Sequence, residues 1–192
     1  MSWKNDQVSR LETEKILFIA RDCLAIGGDF VELGCYKGDT SLMLAEILQG
    51  TDKKLWIYDS FEGLPDKSVE DESAVGADFK RGELAASKRE VKMRFLRAGL
   101  MVPKITKAWF SDLKDEDLPS KIAFAFLDGD LYESIRDSLK LIDGKMTVGG
   151  VIMVHDYINE ALPGVAKAVD EWVKTRDLEI MRYESLAIIM IK

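Results

Sequence analysis

Apolar positions along the chain switch between two periods. Val8, Leu11, Ile16, Ile19, Cys23 and Leu24 recur at helical spacing and predict an amphipathic helix over Asp6–Ala25, stopped by Gly27-Gly28. Phe30–Leu33 then reads as a short strand, with a turn starting at Gly34. Leu42, Met43, Ala45, Ile47 and Leu48 predict a second helix, capped by Asp39 or Thr40 and ended near Gly50. Leu55–Tyr58 is a second strand, with Asp59 at its carboxyl end. From Ser60 to about Phe79 no period holds, a long interval for a connection inside a compact domain. Glu83–Gly99 reads as helix and Lys104–Phe110 as a weak strand. Ile122–Leu127 is a wholly apolar run, followed by a helix with Leu131, Ile135, Leu139 and Ile142 on one face. Gly149-Gly150 leads into the strand Val151–Val154. Pro163-Gly164 opens a helix carrying Val165, Ala168, Val169 and Trp172. Leu178–Arg182 and Leu186–Ile191 predict a closing hairpin. Strands alternating with helices imply βαβ units, and strands without internal alternation imply a parallel sheet covered on both faces. No repeat or linker divides residues 1–192, so a single domain is expected.

Composition narrows the chemistry. With 27 basic and 34 acidic residues the formal charge is −7, which argues against a general nucleic-acid binder. A hydrophobic content of 47% argues against disorder. No apolar run is long enough for a membrane span, and Met1–Arg10 shows no signal-peptide pattern, so a cytoplasmic protein is expected. Cys23 and Cys35 lack CxxC spacing and read as free thiols of a reducing compartment, with a single disulfide between them as the alternative. His155 is the one histidine, so histidine-rich zinc chemistry is excluded, and any metal must be held largely by oxygen, as Mg²⁺, Mn²⁺ or Ca²⁺ is.

In open α/β sheets ligands bind beyond the carboxyl ends of the strands. Those ends carry Glu32 and Gly34, then Asp59, then Asp128 and Asp130, then His155 and Asp156. The turn Gly34–Gly38 lacks the G-x-G-x-x-G dinucleotide spacing and on its own could be purely structural. Asp59 changes that reading, because an acid ending the second strand can accept both hydroxyls of a ribose. Asp128, Asp130 and Asp156 could be solvated turn acids, with Asp130 capping the next helix. Three clustered acids beside an imidazole nevertheless suggest a divalent cation. The acid run Glu70-Asp71-Glu72 reads as a solvated loop face, and Trp3, Trp56, Trp109 and Trp172 as core or interface aromatics, with only Trp109 placed where an adenine could stack.

Longer strings carry a resemblance. Gly28–Gly34, the string Tyr58-Asp59-Ser60-Phe61-Glu62-Gly63-Leu64-Pro65, the string Leu127-Asp128-Gly129-Asp130-Leu131-Tyr132-Glu133-Ser134, Gly149–Tyr157 and Pro163–Val169 together resemble the macrocin O-methyltransferase family. That family is a branch of the class I S-adenosylmethionine-dependent methyltransferases. The resemblance implies a three-layer Rossmann-like α/β fold with a mostly parallel seven-stranded sheet and a C-terminal antiparallel hairpin. It implies that Glu32, Gly34 and Gly38 surround the methionine part of the cofactor, with Tyr36, Thr40 and Ser41 also on the cofactor. Asp59 would hold the ribose, beside Ser60 and Phe61, and the turn Ala108-Trp109-Phe110 would lie near the adenine. Asp128, also counted with the cofactor, falls with His155 and Asp156 on the family's metal-ligand positions, and Asp130 on its general base. The family usually has two consecutive acids where this chain has His155-Asp156. Histidine ligates Mg²⁺ poorly and Mn²⁺, Fe²⁺ or Co²⁺ readily, so metal preference is expected to change or metal binding to weaken, and a His155 that contacts substrate instead stays open.

The expected reaction is methyl transfer to a hydroxyl of a small metabolite, a sugar or other vicinal diol, with residues 62–107 covering the site. Two other classes remain: a cofactor-binding module without chemistry, and a nucleotide-sugar or dinucleotide enzyme on a similar sheet. The apolar last strand leaves a homo-oligomer open.

Overall fold

A computed structural model describes residues 7–75 and 79–192. Trp3 and the expected helix start at Asp6 lie outside the described residues. The elements are α1 (Arg10–Asp22), β1 (Asp29–Leu33), α2 (Asp39–Ile47), β2 (Leu55–Asp59), α3 (Lys88–Arg97), β3 (Lys104–Lys107), β4 (Ile122–Leu127), α4 (Tyr132–Ile142), β5 (Met146–Val154), α5 (Pro163–Lys174), β6 (Ile180–Tyr183) and β7 (Leu186–Met190). Seven strands form one sheet in the order β3-β2-β1-β4-β5-β7-β6. The pairings β1–β2, β1–β4, β2–β3 and β4–β5 are parallel, and β7 runs antiparallel to both β5 and β6. The chain leaves β1 toward β2 and β3 on one side and later returns to β4 on the other. That reversal leaves a crevice between the carboxyl ends of β1 and β4.

The pleat sends alternate residues of the central strands to opposite faces. Phe30, Ile57, Phe124 and Phe126 join one buried cluster with Ile16 and Ala20 of α1, Leu42 of α2, and Val91 and Phe95 of α3. Val31, Leu33, Tyr58, Ala125, Leu127, Ile152 and Val154 join a second with Ile135 and Leu139 of α4 and Val165 and Val169 of α5. Every residue of β4 is buried, which is why its sequence shows no polar alternation.

Several boundaries depart from the apolar pattern, each for a local reason. α1 starts at Arg10 because Ser9 and Glu12 form a reciprocal capping box. α2 is capped by the backbone of Gly38 in the left-handed region, not by Asp39 or Thr40. α3 starts only at Lys88, where the Ser87 side chain accepts from the Glu90 amide. Gly149 and Gly150 lie inside β5, where the β4–β5 register shifts. Asp130 does not cap α4; its own φ is 59°, and the helix-start amide of Tyr132 donates to Asp71 Oδ1 at 2.7 Å. Asp71 is correspondingly buried, against the solvated face expected for it. Its other oxygen accepts from the amide and hydroxyl of Ser68, and Oδ1 lies where a side chain at Gly164 would stand, 2.0 Å from that Cβ position. One carboxylate thus joins the start of α4 to the start of α5, the favoured position for negative charge.

Candidate active site

A cavity of about 330 Å³ opens at the carboxyl edge of the sheet. Its walls include Glu32, Gly34, Tyr36 and Thr40 from the end of β1 and the start of α2, Asp59 and Ser60 after β2, and Ala108 and Trp109 after β3. Asp128 and Asp130 after β4 and His155 and Asp156 after β5 line the same space. Three of the expected cofactor residues do not line it. Gly38 faces Val91 as the α2 cap, Ser41 is buried behind Glu32, and the Phe61 ring is packed in the core beside α3. Each supports the wall from behind.

The β1 turn is held by Asp59. Its Oδ2 accepts from the amides of Cys35 (2.8 Å) and Tyr36 (3.0 Å), and Oδ1 from the amide of Phe61 (2.6 Å). This carboxylate therefore organises both loops before any ligand arrives; three of its roughly four acceptor sites are taken, one site on Oδ1 is left, and the residue lines the cavity. Gly34 is obligatory there, since a Cβ would stand 2.0 Å from the carbonyl oxygen of Asp128. Glu32 is 1% exposed, and its carboxyl accepts the Ser41 hydroxyl. Burial, opposed by Ser41, pushes Glu32 up to about 8. Burial also pushes the Cys35 thiol up, so it is an inert neutral filler. Four non-glycine residues of these loops, Tyr36, Phe61, Asp130 and Asp156, have φ between 48° and 59°. Strain of this kind is kept where the surroundings over-determine the backbone.

On the opposite wall His155 is 6% exposed and stands among carboxylates. Its Nδ1 lies 3.0 Å from Asp128 Oδ1 and 3.0 Å from Asp156 Oδ2, and its Nε2 lies 3.8 Å from Glu12 Oε2. Burial disfavours charge on the ring, but the three carboxylates outweigh it and hold the imidazolium well above its usual range. Asp156 is steadied by Asn159, whose amide donates to Oδ1 at 2.9 Å. Burial, with Asp128 and Asp156 adding to it, pushes the Asp130 carboxyl well above the usual carboxylate range. One donor atom from each of Asp128, His155 and Asp156 lies within 4.8 Å of the others. Adjacent ligands of an octahedral cation with bonds of ~2.1 Å stand ~3.0 Å apart, so these donors fit a divalent cation. One imidazole beside two carboxylates suits Mn²⁺ or Co²⁺ better than Mg²⁺.

The apolar pattern missed other wall residues. Gln7 and Val8 reach the cavity from ahead of α1, and Leu64, Phe79 and Leu84 cover it from the irregular segment. α3 belongs to the scaffold, because Val91 and Phe95 are buried in the core. Among the described residues, no helix is long and apolar enough to cross a membrane.

Comparison with known proteins gives a consistent set. Residues 13–184 match the family described as macrocin-O-methyltransferase (TylF). The 8-demethyl-8-(2,3-dimethoxy-alpha-L-rhamnosyl)-tetracenomycin-C 4'-O-methyltransferase of Streptomyces olivaceus is 32% identical over 145 residues, 71% of this chain and 55% of that protein. The demethyldecarbamoylnovobiocin O-methyltransferase of Streptomyces niveus is 31% identical over 155 residues, 77% of this chain and 58% of that protein. The chain thus spans little more than half the length of these relatives. The solved structure of the O-methyltransferase NovP is similar with a TM-score of 0.82 at 29% identity, over 94% of this chain and 79% of that one. The calicheamicin methyltransferase CalS11 shares the fold, with a TM-score of 0.75 at 19% identity over 95% of this chain and 80% of that one.

Proposed function

The chain belongs to the macrocin O-methyltransferase family, and from that premise we propose that it transfers the methyl group of S-adenosylmethionine to a hydroxyl of a small metabolite. The observation that carries this reading is one cavity with two unlike walls. Glu32, Asp59 and the strained turn between Gly34 and Gly38 form one; Asp128, Asp130, His155 and Asp156 form the other.

The first wall suits the cofactor. Asp59 keeps one acceptor site on Oδ1 for a ribose hydroxyl, Trp109 offers a face for adenine, and Glu32, neutral when the cavity is empty, would ionise against the methionine ammonium. The second wall suits the acceptor. Asp128, His155 and Asp156 would hold a divalent cation, which when bound would lower the pKa of an acceptor hydroxyl. Asp130, once a bound cation offsets the neighbouring acids that favour its protonated form, would take the hydroxyl proton as the carbon–oxygen bond forms and the carbon–sulfur bond breaks. Holding the two reactants in line supplies much of the acceleration. Relatives named for a rhamnosyl tetracenomycin and for demethyldecarbamoylnovobiocin support a sugar hydroxyl or similar diol. The segment carrying Leu64, Phe79 and Leu84 would close over that acceptor, within a single domain.

Methyl transfer from labelled S-adenosylmethionine to a panel of sugar diols and catechols tests this. Asp130→Asn and Asp128→Ala are expected to lower the rate at least 100-fold, with cofactor binding retained in Asp130→Asn. Parent-level turnover in both variants would sink the mechanism. Stabilisation by NAD alone in a thermal-shift comparison with S-adenosylhomocysteine would favour a dinucleotide enzyme instead.

A further inference from the structure

Glu12 has no part in the reaction as described, yet it is 5% exposed and sits behind His155. Its surroundings account for most of its hydrogen bonds. Oε2 accepts from the Ser9 amide at 3.0 Å, completing the α1 capping box. Oε1 accepts from the amide of Ser185 at 3.0 Å and from its hydroxyl, tying α1 to the β6–β7 turn. Those bonds need an acceptor at this position but not a buried negative charge. A buried carboxylate is costly unless a positive or hydrogen-bonding partner faces it. The partner here is the imidazole of His155, with Nε2 3.8 Å from Oε2.

The two ring nitrogens are therefore in different surroundings. Nδ1 faces Asp128 and Asp156, each at 3.0 Å, and Nε2 faces Glu12. The imidazolium carries a proton on each nitrogen, and a cation can bind only where one of them leaves, so the proton that is kept decides which nitrogen is free. With the proton on Nδ1 the ring would hydrogen-bond the two aspartates and shut a cation out. With the proton on Nε2, held toward Glu12, the Nδ1 lone pair joins the aspartate oxygens. Histidine ligands commonly donate their second N–H to a carboxylate, whose loss costs about 10–100-fold in affinity; Glu12 stands on that side of the ring, at ion-pair rather than hydrogen-bond distance. Asn159 backs Asp156, donating to the oxygen that does not face His155.

We propose that Glu12 is a positioning residue that commits His155 to cation binding through Nδ1, and that this pair gives the site a preference for Mn²⁺ or Co²⁺ over Mg²⁺. The inference rests on the cation reading above and assigns the source of its selectivity to a residue on the first helix, outside the cavity wall. Oxygen-only ligands would bind Mg²⁺ well; one committed imidazole shifts the balance toward softer ions.

Calorimetric titration of the full chain with MnCl₂ and MgCl₂ alone tests it, with S-adenosylhomocysteine titrated separately. The parent is expected to bind Mn²⁺ at least tenfold more tightly than Mg²⁺. Pulsed electron paramagnetic resonance of the Mn²⁺ complex should show coupling to an imidazole nitrogen that His155→Asp removes. Glu12→Gln should weaken Mn²⁺ about tenfold and leave S-adenosylhomocysteine affinity unchanged. In the His155→Asp background the same Glu12→Gln change should leave Mn²⁺ affinity unaltered. Ser185→Ala controls for folding: it removes the hydroxyl tie yet keeps the carboxylate at His155, so Mn²⁺ affinity should hold even if the melting temperature drops. Equal weakening by Glu12→Gln with and without His155, equal weakening by Ser185→Ala, or equal affinity for the two ions would overturn the proposal. A parent that binds S-adenosylhomocysteine but neither ion would sink it together with the cation reading, while leaving the cofactor reading standing. A parent that binds Mn²⁺ as expected but no S-adenosylhomocysteine would sink the methyltransferase reading and uphold the Glu12–His155 pair.

Discussion

The cavity forces residues into states that an exposed position would not give them. Glu32 is the clearest case. Its ordinary carboxyl pKa is 4.5, and burial raises it to about 8. The stability this group allows is fully present below about 4.5 and is lost as pH rises through about 8, because the folded state must either hold the proton or bury a charge. Glu32→Gln, a neutral mimic, should match the parent in thermal stability at pH 5. It should exceed it at pH 9, by roughly 4–5 kcal/mol, in the absence of ligand. Identical pH profiles for the two proteins would show that Glu32 is not buried as described. Gly34 makes a second case. Gly34→Ala puts a methyl group 2.0 Å from the Asp128 carbonyl oxygen. Chemical denaturation should register a loss of about 2–4 kcal/mol, with S-adenosylhomocysteine binding abolished. The titratable wall residues at the strand ends were legible in the sequence, because each of Glu32, Asp59, Asp128 and His155 ends or directly follows an apolar run. Glu12 was not legible as part of the site. On its own helix it is one turn position among others, and its link to His155 spans most of the chain. Nor was the hold of Asp59 on the amides of Cys35 and Tyr36, since a bond between distant loops leaves no period.

Elements were readable to the degree that burial wrote them into composition. β4 is apolar from end to end and its limits, Ile122 and Leu127, coincide with the apolar run. α4 and α5 carry strong apolar stripes and were placed to within a residue at most boundaries. α3 was overextended, because Glu83–Ala86 have helix-compatible residues but the Ser87 cap sets the start. Asp71 was misread for a related reason: its neighbours Glu70 and Glu72 look like a solvated run, and only the packing of two helix starts buries the residue between them. That packing makes a prediction. Asp71→Ala removes the acceptor for Tyr132 and for Ser68 and leaves their amides to a buried site. Urea denaturation should show a loss of roughly 2–3 kcal/mol. An effect below 0.5 kcal/mol would mean that the segment is not docked on α4 and α5.

Across the molecule, the alternation of strands and helices was enough to infer a parallel sheet covered on both faces; resemblance to a family added the count of seven strands, and the neighbouring order of strands comes from the structure alone. The order β3-β2-β1-β4-β5-β7-β6 brings five strand ends to one edge, and so brings residues 32 to 156 around a single cavity. Part of the acidic excess behind the formal charge of −7 is concentrated there. On the proposed reading, the ends of β1, β2 and β3 form the cofactor wall and the ends of β4 and β5 the acceptor wall. The central claim is that the first wall binds S-adenosylmethionine. It is tested most directly by isothermal titration of the purified chain with S-adenosylhomocysteine. The account predicts one site per chain, weakened at least tenfold by Asp59→Ala and unchanged by Asp130→Asn. Absence of binding, or binding that Asp59→Ala leaves untouched, would contradict it.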